Sequence, residues 1–202
     1  MSAGVEAERE PFLLISLSTA GGTASLRVAA WRKLRALGAV YLQQSVCLLP
    51  AREPVVRHVR RLLARVHADG GTGQILTITV PDPAEYGGLV TQFNTARDAE
   101  YAEVCDRTPA MLAEIATETA RGRATYAEVE ESEADLQRFR TWLAKIGARD
   151  YFTAAGRAAA EEAVDRCARA LAEFEGAALA ADTGDPPPAA SPFPDRSTEE
   201  GD

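Results

Sequence analysis

Nine arginines and lysines fall between residues 27 and 65, against the single carboxylate of Glu53. Guanidinium groups at this density suit one chemistry above others, the bidentate grip of phosphate or carboxylate oxygens. Spacing decides which of them share a face. At about 100° per residue, a helix over 53–68 sets Arg57 and Arg61 opposite the stripe of Val55, Val59, Leu62 and Val66, with Arg60 and Arg65 flanking. In a helix over 24–37, Arg32 and Arg35 stand opposite Leu26, Ala30 and Leu37, while Arg27 and Lys33 lie nearer the edge of that stripe. Two such helices on one face of a sheet would join Arg27, Arg32, Lys33, Arg35, Arg57, Arg60 and Arg61 into one basic surface, a footprint for DNA or another polyanion. The competing assignment pairs this block with the rest of the chain. Residues 82–175 carry 19 acids against 11 bases, and the formal net charge of the whole is −8.

Other groups offer less. Val28 and Trp31 fall on the outer side of the first helix, where another helix or a partner copy is expected to cover them, because large exposed apolar patches are unusual in a monomer. Asn94, Arg97, Asp98, Glu100 and Tyr101 cluster at a half-buried helix face. That cluster is either a hydrogen-bonded structural network or a ligand site, since buried charges need partners in both cases. The turn over 18–23 precedes a helix but lacks the Gly-Lys-Ser/Thr of a phosphate loop, and reads as a plain strand-to-helix turn.

Catalysis finds no residues. A metal-dependent nuclease on an α+β sandwich needs a carboxylate at the end of its first strand, where Ser16, Leu17 and Ser18 stand. The chain has two histidines and three widely spaced cysteines, Cys47, Cys105 and Cys167, which match neither a disulfide framework nor a zinc site. The Glu-rich helices lack the Glu-x-x-His pairs of di-iron bundles. No catalytic or metal-binding residues and no cofactor are expected, and the protein reads as a non-enzyme. The acidic first residues resemble no secretory leader, and no run approaches ~18 apolar residues. A cytoplasmic protein without membrane contact is expected.

The elements that must carry these residues are legible in the patterning. FLLISLS (residues 12–18), AVYLQQ (39–44), VCLL (46–49) and QILTITV (74–80) read as strands. Between them lie the two helices already described, the first closed by Gly38 and the second by Asp69-Gly70-Gly71. The order βαββαβ predicts an α+β fold with a ferredoxin-like unit over 11–81, two helices on one face of an antiparallel sheet. Residues 82–180 predict a helical region packed on it. Its expected helices run from Asp82 to about 105, from a Thr108 cap with Pro109 in the first turn, from the Thr125-x-x-Glu128 capping box to Gly147, and from a Thr153 cap onward. Residues 181–202, rich in proline and acid, predict a disordered tail.

Three stretches together carry a resemblance: RVAAWRKLRALGA at 27–39, VYLQQSVCLLP directly after it at 40–50, and FNTARDAEYAE at 93–103. In this combination the chain resembles the N-terminal domain of ChrB, a chromate-resistance regulatory protein of bacteria, over most of residues 12–175. The resemblance implies a cytoplasmic regulator that binds promoter DNA and responds to an oxyanion, and together with the basic block it leads to the expectation of a DNA-binding homodimer. Full-length members carry a second, C-terminal domain, in whose place this sequence has its Pro-rich acidic stretch. The reading from another class is a non-DNA interaction or oligomerisation module.

Overall fold

The computed structural model describes residues 9–19, 24–121 and 126–183. The first half alternates short strands and helices: β1 (Phe12–Ser18), α1 (Ala24–Ala36), β2 (Val40–Gln43), β3 (Val46–Pro50), α2 (Glu53–Ala68) and β4 (Thr72–Ile78). Three long helices follow, α3 (Pro83–Arg121), α4 (Tyr126–Gly147) and α5 (Arg157–Thr183). The strands form one sheet in the order β2-β3-β1-β4, with every neighbouring pair antiparallel. The chain is therefore mixed α+β, with a small antiparallel sheet and mostly helical content.

The alternation of β1 decides what each sheet face holds. Leu13 and Ile15, with Cys47 and Leu49 of β3, pack against Leu34 of α1 and Val55 and Val59 of α2. Phe12 and Leu48 point the other way, onto Phe93 of α3 and the rings of Tyr86 and Phe152. Phe12 and Phe93 stack with centroids 5.9 Å apart. A separate core joins the three long helices, around Tyr101, Val104, Ile115, Leu136, Ile146, Val164, Cys167 and Phe174. The basic helices thus lie on one side of the sheet, and the start of the acidic helical half lies on the other.

Both glycine stops act as expected. Gly38 has φ +80 and Gly70 φ +82, the left-handed conformation that ends a helix without a Cβ penalty. The expectation of a helix break at Thr108 and Pro109 is corrected. Pro109 lies inside the continuous helix α3. Its missing N–H would orphan the carbonyl of Cys105, four residues earlier. The Thr108 hydroxyl donates to that carbonyl at 3.1 Å and takes the place of the absent amide. A threonine that looked like a cap is instead the repair of a proline.

Thr153 is a second correction. It has φ +60 and stands before α5, which begins at Arg157. The last helix also runs on to Thr183, past the expected boundary at 180. Residues 184–202 of the expected tail and Thr125 of the capping box lie outside the described residues.

Candidate functional site

Helices α1 and α2 turn their apolar stripes to the sheet, so their charged sides face out. Arg27, Arg32, Lys33, Arg35, Arg57, Arg60 and Arg61 are all exposed. The ion pairs they make are local. Arg57 bonds to Glu53 one turn earlier on α2, and neighbouring Arg65 reaches Asp69 at 3.7 Å. Arg61 Nε donates to the Arg57 carbonyl at 3.3 Å. Arg27 Nε donates to Thr19 Oγ1 at 3.2 Å. Among the described residues no ion pair joins a cation of α1 or α2 to a carboxylate of α3, α4 or α5. The acidic helices satisfy their own arginines, as in Arg107 with Glu103 and Arg157 with Glu161.

Where α1 and α2 run side by side they leave a groove of about 380 Å³. Lys33 stands on one wall, His58, Arg61 and Arg65 on the other, over a floor that includes Leu26, Ala30 and Leu62. Among the described residues no carboxylate lines it. Converging cations with no anion between them raise the local potential, and at physiological salt that field reaches about 8 Å into solvent. The arrangement suits an anion, or a row of phosphates laid across the two helices.

Of the two covers expected for Val28 and Trp31, a helix of this chain or a partner copy, the first is absent among the described residues, and each is 45% exposed. The Arg35 guanidinium sits over the Trp31 ring, 5.1 Å from its centroid. An apolar pair thus interrupts an otherwise cationic outer surface on α1.

The second cluster lies on α3, away from this face. Arg97 is 6% exposed, and its Nη2 reaches Glu100 Oε1 at 3.2 Å. The other Glu100 oxygen accepts from Arg149 Nε at 3.2 Å and Nη2 at 2.8 Å. Asp98 Oδ1 accepts the amide of Gly156 at 2.7 Å. Tyr101 donates its hydroxyl to Asp150 Oδ2 at 3.1 Å. Asn94 Nδ2 reaches the Phe152 carbonyl at 3.5 Å. Asn94, Asp98, Glu100 and Tyr101 therefore all bond to one segment, the connection over 148–156 between α4 and α5, and Arg97 joins it through Glu100. Burial lowers the affinity of the Arg97 guanidinium for its proton, Glu100 opposes that, and Arg149 adds to it. Burial and the Asp150 carboxylate push the Tyr101 hydroxyl up to about 12.

That connection was not singled out from sequence, and it holds the chain's two halves together. Tyr151 donates its hydroxyl to the Leu37 carbonyl at the end of α1, 2.7 Å away. Arg52, at the start of α2, donates to the Tyr151 carbonyl at 2.6 Å and pairs with Glu10 at 2.7 Å. Its guanidinium also lies over the Tyr151 and Phe152 rings at 5.2 and 5.9 Å. The only sequence signal was a pair of aromatics in a charged helix connection, RDYF, just after Gly147.

The family model described as Protein ChrB, N-terminal, matches residues 27–184. No curated protein and no solved structure matches the chain.

Proposed function

The chain belongs to the ChrB N-terminal family, and on that premise we propose that it is a transcriptional regulator of the chromate-resistance type, binding promoter DNA through the outer face of α1 and α2. The observation that carries this reading is the exposure of Arg27, Arg32, Lys33, Arg35, Arg57, Arg60 and Arg61 on one side of the sheet, with no ion pair to the acidic helices among the described residues. In this reading residues 11–81 are a ferredoxin-like unit, in keeping with the βαββαβ order and the β2-β3-β1-β4 sheet. The helical region over 82–180 supports that unit from the opposite sheet face. The Asn94–Tyr101 cluster positions the connection between α4 and α5. The protein works in the cytoplasm as a homodimer, and an oxyanion is its effector.

A mobility-shift titration on the duplex upstream of its own operon tests the DNA reading. Binding is expected to weaken steeply with salt, because each phosphate neutralised releases condensed counterions. Arg57→Glu with Arg61→Glu should lower the affinity at least about tenfold and flatten the salt slope by roughly two or more, since two phosphate contacts go and repulsion replaces them. Absence of salt-sensitive binding to any duplex would remove the proposal. The alternative, a non-DNA interaction or oligomerisation module, is favoured by burial of Arg57 and Arg61 against acidic helices, and both are exposed.

A further inference from the structure

On the side of α1 away from α2, a groove of about 520 Å³ opens between the helix and the ends of β1, β2 and β3. That volume lies in the range of small-molecule sites. Val28, Trp31, Leu34 and Leu17 give it apolar walls, and Tyr41 and Cys47 line its sheet side. Among the described residues Arg27 is the one cation that lines it and no carboxylate does, while the Arg35 guanidinium stands over the Trp31 ring at its rim. The residues around Arg27 are neutral hydrogen-bonding groups, including Ser18, Thr19 and Ser45.

We propose that this groove is a binding site for a small planar aromatic anion, a carboxylate or sulfonate whose ring lies along Trp31 and Val28 and whose charged end is held by Arg27. The inference goes beyond the DNA reading and does not depend on it. Three features of the groove support the ligand class. Trp31 and Val28 are both 45% exposed, so an aromatic body has apolar surface waiting for it. Arg27 is anchored through Nε on the Thr19 hydroxyl at 3.2 Å, and its two terminal nitrogens make no hydrogen bond among the described residues. They are the two parallel donors that a carboxylate takes in bidentate fashion. The absence of lining carboxylates disfavours a cation in the same place. The Cys47 thiol lies buried beneath the groove, and that burial pushes it up to about 12, so it adds a neutral group to the sheet side.

The chain has two tryptophans, Trp31 and Trp142, so an ¹⁵N-labelled sample shows two indole N–H signals, assigned by Trp142→Phe. The full chain is titrated with 2-naphthoate and, separately, with the uncharged 2-naphthalenemethanol. Naphthoate should move the Trp31 signal saturably and leave the Trp142 signal in place. The alcohol should bind at least about tenfold more weakly, the value of one charge-assisted hydrogen-bond pair. Arg27→Gln should weaken naphthoate by a similar factor and leave the alcohol unchanged, with the rest of the spectrum reporting an intact fold. The proposal is overturned by a Trp31 signal that does not saturate at millimolar naphthoate. Equal affinity for acid and alcohol, or indifference to Arg27→Gln, overturns it as well. None of these readouts involves DNA, so the two proposals stand or fall separately.

Discussion

A Cβ added to Gly38 would stand 2.6 Å from Nη1 of Arg97, a residue of another helix and another part of the sequence. The same point is 3.0 Å from the Arg149 Cβ. The end of α1 is thus shaped to receive the buried guanidinium of α3. Gly38→Ala combines a backbone at φ +80 with this collision, and should cost about 2 kcal/mol or more. Equilibrium urea denaturation measures it. Gly87→Ala and Gly88→Ala are the contrast, since a Cβ at either position in α3 meets nothing within 4 Å. Each should stabilise by about 0.5–1 kcal/mol through the entropy of the unfolded chain. Equal effects at Gly38 and Gly87 would show that the contact with Arg97 carries no energy.

The Asp98 carboxylate, accepting the Gly156 amide at 2.7 Å, serves the start of α5 from the side of α3. It does for that helix what a local cap does for others, satisfying an amide that the helix leaves orphaned. Asp98→Ala should therefore cost about 1–2 kcal/mol, and Asp98→Asn less, because an amide oxygen can still accept. A loss below about 0.5 kcal/mol for the alanine variant, in the range of ordinary surface changes, would sink this assignment.

Sequence patterning revealed the elements whose cause is local. The alternation in β1, the arginines opposite the stripe of α2, and the glycine at the end of α1 each follow from residues within a few positions of one another. The exposed cations of the candidate face were found in this way. What escaped was long-range. Arg97 was recognisable as a charge on an apolar face, but Arg149, the second cation on its partner Glu100, lies far away in sequence, after α4. Thr153 looked like a cap because threonine often is one. The start of α5 is instead set by Asp98, 58 residues away. That no helix of this chain covers Trp31 was not legible either, since patterning shows which face is outward and not whether anything lies over it.

Alkaline pH should destabilise the protein through buried acids: burial raises Cys167 and Tyr151, and three others are raised to about 12. Burial pushes Cys47 from 9.0 to about 12 and Tyr41 from 10.0 to about 12. Tyr101 rises likewise from 10.0 to about 12. All are acids held protonated by the fold. Above pH 9 the unfolded chain releases the Cys47 and Cys167 protons first, and above pH 10 the protons of these tyrosines, while the folded state retains them. The unfolded state then binds fewer protons, so stability falls as pH rises. It is complete below pH 9 and lost progressively between pH 9 and 12. Cys47→Val removes one of these acids and should flatten the fall in thermal midpoint between pH 9 and 10, where the cysteines titrate ahead of the tyrosines in the unfolded chain. An unchanged slope would mean that the thiol is not held protonated by the fold.

Thr108 and Pro109 should be energetically coupled. The Thr108 hydroxyl donates to the Cys105 carbonyl at 3.1 Å because Pro109 has no N–H to give it. Thr108→Val keeps the shape of a side chain that is 1% exposed and leaves that carbonyl unsatisfied, at a cost of about 1–3 kcal/mol. Pro109→Ala restores the amide and relieves the ring from the preceding turn, so it should stabilise, by up to about 3 kcal/mol. In the Pro109→Ala background the new N–H serves the Cys105 carbonyl, and Thr108→Val should then cost at least about 0.5 kcal/mol less than in the parent, within the range measured for directly interacting neighbours. The four proteins of this cycle can be compared by urea denaturation. Additive effects would mean that the hydroxyl and the missing amide do not compete for one carbonyl, and that α3 tolerates its proline for some other reason.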